Sequence, residues 1–202
     1  MRRALEGRQT MFDKLLLPQP ARQLALQAAN GHDIANTVLP ATTAADARKF
    51  ELLVDAARRR GHPWEVRKPA TGGYNCTGHV FANRRTAIFE GKGGESFEEH
   101  VRLILKWDGY QLTDQPIVGD VVLYWMDRRR IELLHVAVVC EVRRVFTGTG
   151  TATGAGMPHV LSKWDRGSGE CLHHVRQVPA NFGEDFDIQY WTDRPTATGA
   201  GS

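Results

Sequence analysis

The chain lacks any long apolar run: its longest stretches, such as Leu15 to Leu17 and Val136 to Cys140, are a few residues long, against the roughly 20 needed to span a bilayer. A membrane-spanning helix is therefore not expected. Nor does the start read as a secretory signal, because Arg2 and Arg3 are followed by Glu6, Arg8 and Gln9 where an apolar core should stand. The sequence points to a cytoplasmic protein, or to one exported without a classical signal peptide. Cysteine is scarce. Cys76, Cys140 and Cys171 show no paired metal-type spacing and leave one thiol over under any pairing, so a reduced compartment is the simpler expectation. His32, His62, His79 and His100 are scattered without ligand spacing, so they read as structural or surface residues; no metal or cofactor is called for. A large excess of charge of one sign is also lacking, with 26 Lys and Arg against 23 Asp and Glu. A net charge of +3 is mildly basic, and its densest cluster, Arg128 to Arg130, has no interleaved aromatic platform of the kind single-strand binders use, so nucleic acid is not an expected partner.

What is present is ordinary globular composition: 202 residues, 42% hydrophobic and 24% charged, enough for one domain with a core and some decoration. Residues 1–63 read as an N-terminal helical arm. Its first helix is placed near Ala21 to Ala29, stopped by Asn30-Gly31. A second is capped by Thr43 with Asp46 three residues on, carries Phe50, Leu53, Val54 and Ala57 on one face, and ends at Gly61 and Pro63. Residues 64–192 read as the main domain. Extended, Pro- and Gly-punctuated chain from Trp64 leads to a helix beginning near Cys76, and Ser96 with Glu99 caps a helix striped by Val101, Ile104 and Leu105 and closed by Asp108-Gly109. After Pro116 the pattern turns to strands: Asp120 to Trp125, Leu133 to Val145, His159 to Trp164, Cys171 to Val178 and Phe186 to Trp191. Helices first and a strand meander after them, without regular alternation, predict an α+β fold with helices packed on a mainly antiparallel sheet. The Gly/Thr/Ala run from Thr147 to Gly156 reads as a flexible hairpin insertion, and residues 193–202 as a disordered tail.

A cysteine at a helix start gains thiolate stabilisation from the helix's positive end, and a histidine across a cleft can activate it. Cys76 and His135 fit these roles. Most cysteines are small buried residues, and most apolar-strand histidines are satisfied core groups. Against that reading, Gly72, Gly73 and Gly78 tighten the backbone around Cys76, while His135 shares its strand face with the small Ala137. Cys140 and Cys171 sit in apolar strand patterns and read as packing residues.

The order of a helix-start cysteine, then Gly119-Asp120-Val121-Val122-Leu123-Tyr124, then His135-Val136-Ala137-Val138-Val139, resembles the NlpC-type and CHAP-type bacterial branch of papain-like cysteine peptidases over roughly residues 72–192. The resemblance implies a papain-like fold and hydrolysis or transfer at an amide bond. Leu161-Ser162-Lys163-Trp164, followed by Gly167 and Gly169, is similar to the segment whose asparagine orients the histidine and whose tryptophan shields that contact. Ser162 takes the asparagine's place, with His173 and then His159 as alternative orienters. The Cys76 N–H would face the oxyanion, Tyr74 would either add its hydroxyl there or pack buried beneath the helix, and Trp164 would lie at the substrate side. The chain departs from the family in having Asn75-Cys76-Thr77-Gly78 where many relatives have Asp-Cys-Ser-Gly, and Asp165 where a glycine is usual.

The expected substrate is a peptide, protein or cell-wall amide. A non-catalytic binding module that kept the fold, and a delivered effector or toxin amidase docking through its N-terminal arm, are the competing readings. An activated Cys76 is expected to alkylate below the ordinary thiol pKa of about 8.5.

Overall fold

A computed structural model describes residues 23–126, 129–130, 132–146, 152–183 and 185–195. Helix α1 (Ala44–Arg59) begins with the expected capping box between Thr43 and Asp46 and buries Phe50, Val54 and Ala57. Strand β1 (Glu65–Lys68) follows, then the short α2 (Cys76–Phe81). Helix α3 (Phe97–Trp107) is capped reciprocally by Ser96 and Glu99 and buries Val101, Ile104 and Leu105. Strands β2 (Gln111–Thr113), β3 (Val121–Trp125), β4 (Leu133–Phe146), β5 (Ala152–Ser162), β6 (Glu170–His174) and β7 (Asp187–Thr192) follow among the described residues, with a 3-10 turn at Ala180–Phe182.

All seven strands form one sheet in the order β1-β6-β5-β4-β3-β7-β2, with every pairing antiparallel. The fold is α+β with an antiparallel sheet. Among the described residues no helix is long and apolar enough to cross a membrane.

The pleat sorts the core into two layers. On one face Val121, Leu123, Trp125 and Val136 meet Val101 and Leu105 of α3, with Val80 and Phe81 of α2 against them. On the other, Val122, Tyr124, Ala137, Val139 and Val160 gather with Val175 and Val178 under Trp164, Phe182 and Phe186. At the β6 side α1 packs Phe50, Val54 and Ala57 on Trp64 and Cys171.

Three expectations are corrected. No helix occupies the described part of the predicted Ala21 to Ala29 segment (Ala21 lies outside the described residues). Instead Gln27 bridges Asp33 across a turn at Asn30-Gly31. Leu26 and Ala28 alternate into the interior with Ile34, against Ala82, Ile88 and Ile104, so a two-residue period stands where a helical one was read. The arm's apolar residues here belong to the domain's own core, and Leu26, Ala28 and Ile34 are not free to dock a partner. Second, the Thr147 to Gly156 run is not all flexible insertion: Gly156 and Ala152 pair with Arg144 and Phe146, so residues 152–156 are strand, while Thr147 to Thr151 lie outside the described residues. Third, the segment read as a disordered tail from residue 193 has a fixed start. Arg194 donates to Asp120 Oδ2 at 2.8 Å, a contact to a buried carboxylate just before β3; residues 196–202 lie outside the described residues.

Candidate active site

Asn75 sets the start of α2. Its Oδ1 accepts from Gly78 N at 2.9 Å and Ile88 N at 3.1 Å, while its Nδ2 donates to Ile88 O at 2.6 Å. An aspartate could accept both N–H bonds but not make the donation, which gives a local reason for Asn75-Cys76 in place of Asp-Cys. Glycine at 78 has a steric reason: a Cβ there would lie 1.7 Å from the Thr86 carbonyl oxygen. Asn75→Asp should therefore cost roughly 1–3 kcal/mol, the penalty of setting an acceptor against the buried Ile88 carbonyl. Urea unfolding measures it, and an unchanged midpoint would count against this account.

Cys76 is half-buried. Its sulfur contacts Thr77 Oγ1 at 3.7 Å. Burial raises the thiol pKa, while the Thr77 hydroxyl and the backbone N–H groups of Val136, Thr77 and Cys76 itself act against that rise. The Val136 N–H is accessible because the β4–β5 pairing runs from Val138↔Leu161 outward and β5 ends at Ser162. The sulfur thus lies beside the strand position next to His135.

His135 is 1% exposed. Its ring stacks on Trp164 at 4.3 Å between centroids and 25° between planes, with Tyr124 at 5.7 Å. Burial, then the charges of His173 and His79, depress its pKa well below 6.5, so the imidazole is neutral. No hydrogen bond joins the Cys76 sulfur to the His135 ring. With thiol raised and imidazole lowered, the resting pair is uncharged because burial disfavours both ions, the opposite direction from the one expected of an activated Cys76.

The third position differs from each of its expected occupants. Ser162 lies on the same pleat as Val160, yet its Oγ, His135 Nε2 and His173 Nε2 are all buried without a hydrogen-bond partner. His173 gives its Nδ1 to the His174 carbonyl at 2.8 Å and stacks near Trp164 at 5.0 Å. His159 sits on the opposite pleat, its ring 5.6 Å from His174 and its Nδ1 3.3 Å from the Met157 carbonyl. None of the three bonds to His135; Trp164 is the group that fixes its ring plane. Tyr74 is also corrected: its hydroxyl donates to Glu170 Oε1 at 2.5 Å, so its proton is not offered to an oxyanion.

Glu170, which the sequence reading passed over, anchors this side. It is 3% exposed and accepts from Arg84 through both oxygens, at 2.7 and 2.9 Å, with His79 Nε2 3.7 Å away. Burial would raise its pKa, but the hydrogen bonds from Arg84 and Tyr74 and the charges of His79 and Arg84 prevail and bring it to about 2. A carboxylate opening an apolar strand, Glu170-Cys171-Leu172, was the available signal, since a buried charge demands partners. Cys140 lines a cavity of about 450 Å³ with Arg67, Arg84, Leu161 and Leu172, rather than packing in the core as expected. Cys171 is fully buried, as its pattern implied.

Comparisons with protein families, curated proteins and solved structures return no match for this chain.

Proposed function

We propose that this chain is a cysteine-dependent hydrolase of amide bonds, related in fold to the NlpC-type and CHAP-type papain-like peptidases. The observation that carries the reading is the convergence of the α2 start with the start of β4: the Cys76 sulfur faces the Val136 N–H, next to a neutral imidazole held flat against Trp164. A neutral histidine is the form that can accept a proton. In the proposed reaction Cys76 Sγ bonds to the carbonyl carbon as its proton passes to His135, and the imidazolium then protonates the leaving amine as the C–N bond breaks. Water next attacks the thioester carbon, giving its proton to His135, which returns it to sulfur as the C–S bond breaks and the carboxylic acid leaves. The Cys76 N–H supports the oxyanion. Peptides, proteins and cell-wall fragments are the proposed substrates.

Hydrolysis of cell-wall fragments and model peptides, with Cys76→Ala as control, tests the proposal. Turnover that survives Cys76→Ala would refute it. Trp164→Ala should lower turnover by about 10- to 100-fold, because it frees the imidazole, whereas Ser162→Ala should change it less than about threefold, since no bond to His135 is lost. Steady-state rates of the two variants decide between stacking and a polar orienter. The unpartnered His135 Nε2 favours one alternative, a non-catalytic binding module of the same fold; it predicts no Cys76-dependent turnover on any amide tested.

A further inference from the structure

Lys163 stands between Ser162 and Trp164 and is fully buried. An ammonium removed from water needs all its donors satisfied. Here Nζ donates to the Thr71 carbonyl at 2.7 Å and the Ser168 carbonyl at 2.5 Å, and lies 4.7 Å from the centroid of the Tyr74 ring. Thr71 and Tyr74 belong to the loop that delivers Cys76; Trp164, the next residue, holds His135. One side chain thus ties the loop of the nucleophile to the strand end that carries the base's stacking partner.

We propose, on the reading that Cys76 is the nucleophile, that Lys163 is a positioning residue that fixes the nucleophile loop and supplies the buried positive charge favouring the Cys76 thiolate as it forms. The charges facing Lys163 are the Asp165 and Glu170 carboxylates, Lys68 and the Cys76 sulfur. Burial lowers its pKa, Asp165, Glu170 and Cys76 raise it, Lys68 lowers it, and it settles at about 8. The coupling between Cys76 and Lys163 is reciprocal: a thiolate that stabilises the ammonium is stabilised by it equally. Because the folded pKa lies near 8, the charge is present below that pH and lost above it. Glu170 is already paired with Arg84, and the two carbonyls carry no net charge, so the ammonium's field is not cancelled by a hydrogen-bonded carboxylate.

The test is the rate of Cys76 carbamidomethylation by iodoacetamide between pH 6 and 10, read by peptide mass mapping on the full chain. Lys163→Met should react about tenfold more slowly than wild type at pH 7, an effect of the size an opposite charge produces. The gap should close above pH 8 to 9, where wild type has lost the same charge; Cys140 should react alike in both. A purely structural lysine would not produce a gap that closes with pH. Lys163→Arg, whose charge does not titrate in this range, should outpace wild type above pH 8. If neither variant folds, the wild-type curve decides: two inflections, one near pH 8 besides the thiol's own, uphold the proposal, and a single simple ionisation overturns it. Parallel curves for wild type and Lys163→Met, with Cys76-dependent hydrolysis intact, overturn the role of Lys163 alone. Hydrolysis that persists in Cys76→Ala overturns the nucleophile reading itself.

Discussion

Replacing Cys76 with alanine should lower the proposed amide hydrolysis by at least about 10³-fold and move the melting temperature by no more than a few degrees. The first half follows from chemistry, since without the sulfur no thioester forms and only binding and oxyanion contacts remain. The second follows from the site. Cys76 is half-buried, its sulfur makes a 3.7 Å polar contact with Thr77 Oγ1, and the fold at this point rests on Asn75 and its three bonds. Losing one sulfur costs roughly 1 kcal/mol, or about 2–4 °C in a chain of this size. The pH profile carries a related signature. His135 is held well below its ordinary pKa by burial and by His173 and His79, so it stays a competent base on acidification through 6.5. The acid limb of kcat/KM should lie below that value; a limb centred at 6.5 would show that the imidazole is solvated.

Glu170→Gln should destabilise the fold by about 2–3 kcal/mol at pH 7, the largest loss expected of any single isosteric change here. Three groups close on this carboxylate: Arg84 through two bonds, Tyr74 through its hydroxyl, and His79 beside them. Its pKa falls from 4.5 to about 2 on folding, and each unit corresponds to about 1.4 kcal/mol, discounted because the Arg84 side chain is 35% exposed. The folded pKa is depressed, so the stabilisation is complete above the unfolded value and is lost as pH falls from about 4.5 through 2. Urea unfolding of both proteins at neutral pH and in steps down to pH 2.5 checks this. The expected result is a gap that narrows with acid; a gap independent of pH would mean that shape, not charge, sets the effect.

Local rules made two helices readable from sequence. Thr43 with Asp46 and Ser96 with Glu99 specify their own N-termini, and the 3.6-residue stripes behind them have a single buried face. His135 was legible as a strand-start residue because Val136 to Val139 has no other good conformation. The Leu26 and Ala28 alternation was not, since Ala and Leu favour a helix in isolation and the burial that overrides this comes from Ile88 and Ile104, far along the chain. Short edge strands such as Gln111–Thr113 carry too few residues to show a period. Lys163 and Glu170 were missed for a common reason: charged residues are read as exposed, and their burial here depends on carbonyls and an arginine that only the tertiary fold supplies. Ser162 was singled out only by its place in the family pattern, and position in a pattern does not set the distance a hydrogen bond needs.

The central claim is that Cys76 attacks an acyl carbon with His135 as its base, and acylation by an activated ester tests it most directly. Wild type and His135→Ala are exposed to p-nitrophenyl acetate, quenched in acid, and the acyl group located by peptide mass mapping. The account predicts a thioester on Cys76 in preference to Cys140 and Cys171, forming at least about 100-fold more slowly once His135 is removed. Acylation of Cys140 in place of Cys76, or of Cys76 at a rate indifferent to His135, would contradict it.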